Sequence, residues 1–133
     1  MKKNQQTIIE NISIKNAVKK MDLEKLDSLV VQNSRKKVIG VFTMGDFRRA
    51  VFKGLDINTK ISSLINKEFK FLTQGYSKKE AKQIFIENDL ILDIPVLDKR
   101  FKLIKVIKKK EVFNSKLKKK KINLKNFPVF IMA

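Results

Sequence analysis

Apolar positions along the chain change period in a fixed order. Residues 7–9 make a short β-prone run. From Ser13, a candidate N-cap, Ile14, Ala17, Val18 and Met21 recur at helical spacing. Residues 30–42, VVQNSRKKVIGVF, form an apolar strand, a polar turn and a second apolar strand, and a helical pattern on Phe47, Ala50 and Val51 stops at Gly54. The order then returns. A short β segment falls in residues 69–73, and Ser77-Lys78-Lys79-Glu80 is a capping box, its hydroxyl and carboxylate serving opposite sides of the first turn. Ala81, Ile84 and Phe85 form the apolar stripe behind it. Residues 95–107, PVLDKRFKLIKVI, repeat the hairpin, and a weaker helix is expected on Val112 and Phe113. Equivalent residues keep one offset: Gly40 to Lys105, Thr43 to Lys108 and Asp46 to Glu111 are each 65 apart.

The pattern predicts two tandem β-α-β-β-α units, residues 1–64 and 65–114, in a mixed α/β (α+β) fold. Each unit is too small to cover both faces of its sheet, so the two are expected to pack sheet to sheet as a pseudo-symmetric pair. A short helix should join them, with Ile61, Leu64 and Ile65 turned inward and Asn58 or Thr59 as its cap. Residues 115–126 are a basic linker whose like charges repel one another. The last seven residues, FPVFIMA, are apolar and strand-like.

Composition narrows the chemistry. The chain has 133 residues, no Cys and no His, which excludes disulfides, thiolate metal sites and the commonest general base. No metal is expected. No apolar run approaches the ~20 residues of a membrane helix, and MKKNQQTIIEN lacks a signal-peptide core, so a soluble cytoplasmic protein is expected. The net charge of +18 favours anionic partners. Lys far outnumbers Arg, and aromatic residues are not interleaved with it, so a solvated surface is favoured over a nucleic-acid surface.

The stretch VIGVFTMGDFRRAVFKG gathers Thr43, Met44, Gly45, Asp46, Arg48 and Arg49 where a strand ends and a helix begins. Thr43 and Asp46 stand at capping-box spacing. A Gly is unfavourable in a first helical turn and useful where a ligand approaches the backbone. The helix mouth offers free N–H groups to a phosphate, the carboxylate can accept from a ribose diol, and either guanidinium can hold phosphate bidentately. The spacing leaves plain capping and a nucleotide pocket both open.

Gly40-Val41-Phe42-Thr43-Met44-Gly45-Asp46-Phe47-Arg48-Arg49, repeated once per unit, resembles the CBS domain, and the coverage runs from about Thr7 to Asn114. The stretch GDFRRAVFKGLDINTKISSLIN looks like the CBS pairs at the N-terminus of bacterial sugar-phosphate nucleotidyltransferases. The resemblance implies an adenine nucleotide (AMP, ADP or ATP) as regulatory ligand, with Thr43 and Asp46 on its phosphate and ribose. More loosely, it implies the base against Ile8, Ile9 and Val31. It also implies a homodimer through the helices, with Phe47, Val51, Phe52, Ile84 and Phe113 as candidates. The second copy departs from the motif at Lys105, Lys108 and Glu111, so one competent site per chain is the most expected. Its lysines hold an anion or simply start a solvated helix. FPVFIMA resembles the first strand of a nucleotidyltransferase domain, cut before its glycine-rich loop, which would make this chain a regulatory fragment without catalysis. A structural dimerisation module with a non-functional pocket and a basic nucleic-acid-binding domain are the competing readings.

Overall fold

The computed structural model of the chain describes residues 6–113. The basic linker 115–126 and the strand expected at 127–133 lie outside the described residues. In order come β1 (Thr7–Ile9), α1 (Ile14–Glu24), β2 (Ser28–Gln32), β3 (Val38–Thr43), α2 (Met44–Phe52), a 3₁₀ turn (Ile61–Ser63), β4 (Leu72–Thr73), α3 (Lys78–Glu87), β5 (Asp93–Leu97) and β6 (Leu103–Lys108). A last helix, α4 (109–113), runs to the final described residue. The strands form two three-stranded sheets, β1-β2-β3 and β4-β5-β6. In each, the first pair is parallel and the second antiparallel. Corresponding residues of the two hairpins stay 65 apart, even at the register shift between Val31 and Gln32 and its copy between Val96 and Leu97.

The helices start where the polar pattern says. The Ser13 hydroxyl accepts from Asn16 N–H at 3.1 Å, and Ser77 and Glu80 make the reciprocal capping box at 3.1 and 2.9 Å. The joint differs from expectation. It is a 3₁₀ turn whose N-cap is Lys60, with no side-chain cap bond. The Thr59 carbonyl accepts from Ile14 N–H at 2.8 Å, which ties the joint to the mouth of α1. Ile61 and Ile65 turn inward as expected, with Leu64 half-buried.

β2 and β5 are the middle strands, buried on both faces, which is why each reads as a continuous apolar run. Leu29 and Val31 point to one core with Ile14, Ala17, Met21 and Phe42. Ile94 and Val96 join Ala81 and Phe85 in the second. Between the sheets lies a third cluster of Val30, Val38 and Leu97, with Phe69, Phe71, Leu103 and Val106 around it. The units therefore pack sheet to sheet.

The two hairpin turns are copies of one another. Asn33 Oδ1 accepts from Arg35 and Lys37 N–H at 2.9 and 3.0 Å, and Asp98 Oδ1 accepts from Arg100 and Lys102 N–H at 2.8 and 2.9 Å. The N–H of Lys102, then that of Arg100 and the charges of both residues, hold the Asp98 carboxyl below its ordinary pKa. Each turn needs a left-handed residue, supplied by Lys36 (φ 66) and Phe101 (φ 65). The turns meet at a Lys37–Lys102 bridge, with Val38 N–H donating to Phe101 C=O at 2.8 Å.

No helix among the described residues is long and apolar enough to cross a membrane.

Gly40 marks a close crossing. A Cβ there would stand 2.9 Å from the Asn66 carbonyl oxygen and 3.0 Å from Ile65 Cδ1, because residues 65–66 run along β3. Gly40→Ala is therefore expected to force the joint outward and destabilise the fold by ~1–3 kcal/mol, read as a lower midpoint in urea unfolding. An unchanged midpoint would show that the joint yields freely.

Candidate functional site

A cleft of about 660 Å³ opens between the units at the end of the strands opposite the hairpin turns. Thr43, Met44, Gly45, Asp46, Arg48 and Arg49 line one wall, and residues 88–93 of the second unit line the other. The structure thus brings six of the expected site residues together. It does not bring Ile8, Ile9 and Val31 there. Val31 and Ile8 are in the first core, and β1 with Ile9 is on the sheet edge remote from β3. The apolar lining comes instead from Val41, Phe69, Leu90, Ile91 and Leu92. The second wall is not readable locally, since the α3–β5 loop reaches the motif only through the pseudo-two-fold packing.

The motif is held tightly before any ligand arrives. Thr43 N–H and Oγ1 both donate to Asp46 Oδ2, at 2.8 and 3.1 Å, and Asp46 N–H donates back to Thr43 Oγ1 at 3.2 Å. Arg49 pairs with Asp46 Oδ1. The capping box is therefore real. Oδ2 has both lone pairs engaged, while Oδ1 keeps one for an incoming hydroxyl. The Met44 and Gly45 N–H groups occupy first-turn positions without an intrahelical acceptor and lie at the positive end of the helix dipole. Gly45 is not demanded by the fold. A Cβ there would meet nothing nearer than Thr43 Oγ1 at 3.5 Å. The glycine leaves room over the helix mouth.

Arg48, Arg49 and Lys70 give the cleft three cations. Four carboxylates, of Asp27, Asp46, Asp89 and Asp93, also line it. The lining suits a ligand with both phosphate and hydroxyl groups better than a bare anion.

The pseudo-symmetric position in the second unit is built differently. Lys108, standing where Thr43 stands, turns its ammonium toward Asp93 Oδ1 at 3.5 Å and Gln6 Oε1 at 3.3 Å. Ser28 Oγ and Gln6 Nε2 donate to Asp93 Oδ2 at 2.8 and 2.7 Å. Ser28 and Asp93 are themselves equivalent positions, 65 apart. The Asp93 side chain is 2% exposed and lines the first cleft, so one network ties the second position to the first.

A second groove, of about 740 Å³, runs between α1 and α2, lined by Val18, Leu26, Phe47 and Ile57, and by Met44 and Asp27 at the cleft end. Of the expected interface residues, Val51 and Phe52 are exposed. Phe47 packs partly on the first core, and Ile84 and Phe113 on the second.

Residues 1–53 match the CBS domain family model. A 17.7 kDa protein from Acidianus ambivalens is 28% identical over 97 residues, which are 73% of this chain and 58% of that protein's length. A CBS-domain containing protein from Agrobacterium tumefaciens superposes with a TM-score of 0.75 at 19% identity, covering 86% of this chain and 85% of that one. A CBS domain protein from Pyrobaculum aerophilum, complexed with AMP, gives 0.71 at 17%, covering 81% and 82%. The family-model match falls in the first unit, and the two units together have the fold of these CBS-domain proteins.

Removing the Lys108 cation strands a buried carboxylate. Lys108→Met is expected to destabilise the chain by ~1–3 kcal/mol, and adding Asp93→Asn should recover part of that loss. Paired urea melts of the single and double variants measure both steps. A neutral Lys108→Met would show that the hydroxyl and amide alone satisfy Asp93.

Proposed function

We propose that the chain is a regulatory module that binds one adenine nucleotide, AMP, ADP or ATP, in the cleft between its two units. The observation that carries this is the asymmetry of equivalent positions. The Thr43-to-Arg49 mouth is uncrowded over Gly45 and flanked by Arg48 and Lys70, while its copy carries Lys108, whose ammonium is engaged by Asp93 and Gln6. In this reading the first-turn N–H groups with Arg48 and Lys70 take phosphate. Asp46 Oδ1 takes one ribose hydroxyl, and Val41, Phe69 and Leu92 receive the base. The AMP complex of the Pyrobaculum neighbour supports the ligand class.

The binding signal has a physical route outward. Met44 and Asp27 line both the cleft and the α1–α2 groove. A ligand at the mouth of α2 therefore bears on the helix face where a second copy of the chain would pack, with exposed Val51 and Phe52 at its rim. The same reading makes the module a cytoplasmic homodimer. Its finer form, regulation of a sugar-phosphate nucleotidyltransferase, rests on the likeness of residues 45–66 to the pairs carried by those enzymes. Nucleotidyl transfer by a chain carrying both parts should then respond to AMP, and a Gly45→Ala version should not respond.

Calorimetry with AMP, ADP and ATP on the full chain tests the site directly. One ligand per chain is expected, with apparent stability raised by about 2.7 kcal/mol at one hundred times the Kd. Gly45→Ala separates ligand from fold. In the unliganded chain it should be neutral or stabilising by up to ~1 kcal/mol, yet weaken nucleotide binding. Asp46→Asn should lower affinity by ~1 kcal/mol or more. No heat and no thermal shift with any of the three nucleotides would overturn the reading. A monomer by light scattering would remove only its dimeric part.

A further inference from the structure

The hairpin turns create a second charged surface at the pole remote from the cleft. Arg35, Lys36 and Lys37 come from one turn, and Lys99, Arg100 and Lys102 from the other, some 65 residues away in sequence. The Lys37–Lys102 bridge and the 2.8 Å bond from Val38 N–H to Phe101 C=O hold the turns side by side. All six cations are exposed. All thirteen acidic residues of the chain fall within the described residues, and none forms an ion pair with these six. Asp98 lies in one turn with its carboxylate engaged by turn N–H groups, and Glu10 borders the other, its N–H donating to Gln32 C=O at 2.9 Å.

Two further features distinguish this pole from an ordinary solvated surface. The chain has 31 basic residues but only four Arg: two at the cleft mouth and two, Arg35 and Arg100, at equivalent positions of this pole. Arg rather than Lys is suited to bidentate phosphate contacts. The second feature is Phe101, a bulky residue at φ 65, where Asn or Gly is the ordinary occupant. Its ring is 43% exposed among the cations, and it stands edge-on to Phe71, which contacts Phe69 in turn. Cations on a rigid frame around an exposed ring are what a single-stranded nucleic acid needs: charge along its backbone and a face for a base.

We infer that the paired hairpin turns bind single-stranded nucleic acid, with Arg35, Lys37, Arg100 and Lys102 on phosphates and Phe101 stacked on a base. Phe101 lies between Arg100 and Lys102 in the chain, and folding brings the cations of the other turn beside it. The inference stands apart from the nucleotide cleft, which lies at the other end of the strands.

Fluorescence anisotropy of labelled oligo-dT with the full chain, over a salt series, is the test. Replacing Arg35, Lys37, Arg100 and Lys102 together by Gln should weaken binding and flatten the log–log salt slope by about 3, near 0.7 for each phosphate no longer neutralised. Phe101→Asn suits the left-handed turn and should weaken binding about tenfold with the slope unchanged. Phe101→Tyr should restore it. Replacing Lys118, Lys119, Lys120 and Lys121 by Gln should leave the Phe101 effect in place. Circular-dichroism melting of each variant confirms that it folds. Loss of binding only on neutralising residues 118–121 would overturn the inference, as would a silent Phe101→Asn. Equal competition by duplex, or binding to phosphatidylglycerol vesicles in place of oligo-dT, would assign the pole to another polyanion and overturn it too.

Discussion

Everything else in this molecule depends on the burial of two middle strands on both faces. β2 and β5 each have helices on one side and the other unit's sheet on the other. A three-stranded sheet with its helices on one face leaves the other face to be covered. Sheet-to-sheet packing solves that, and it also sets the geometry of the function. It fixes a pseudo-two-fold relation that places the mouth of α2 in one unit against the α3–β5 loop of the other. The cleft follows from how two incomplete cores complete each other, and neither unit possesses it separately.

The same relation defines both ends of the strands. At one end equivalent residues Ser28 and Asp93 touch through a 2.8 Å hydrogen bond, and at the other equivalent residues Lys37 and Lys102 pair. Contacts between equivalent positions are forced near a two-fold axis. What evolves there must suit its own copy, and the chain solves this differently at each end. Hydroxyl meets carboxylate at the buried end. At the exposed end like charges are left facing solvent, where screening makes their proximity tolerable.

Most of the fold is legible in the sequence because it repeats. The capping boxes at Thr43 and Ser77, the apolar stripe of α1 and the constant offset are local patterns, and local patterns survive in a sequence. Where the structure departs from the pattern, the cause is long-range. Asn58 or Thr59 suits the joint as a cap by spacing, but Lys60 takes that place, and Thr59 C=O is engaged by the mouth of α1, a partner 45 residues away in sequence. The family resemblance implies a base against Ile8, Ile9 and Val31, in the first short strand and the hairpin. Strand order puts β1 on the far edge and buries Val31 in the first core. The residues that do line the cleft, Phe69 and Leu90 to Asp93, carry no motif. Only the packing of one unit on the other identifies them.

The two units finally show how much chemistry can change on an unchanged backbone. Thr43 and Lys108 occupy the same place in the same hairpin, each at the end of its strand and followed by a helix. The short hydroxyl folds back on its own helix and leaves the mouth open. The long ammonium reaches across to the carboxylate that lines the other cleft. Converting one site to a strut therefore did not cost the pair its symmetry, because the burial that enforces symmetry lies in β2 and β5 and not in the motif. The two mouths are also braced differently: the open one is held by its own capping box between Thr43 and Asp46, while Asp93, which lines its cleft, is held by Lys108 and Gln6.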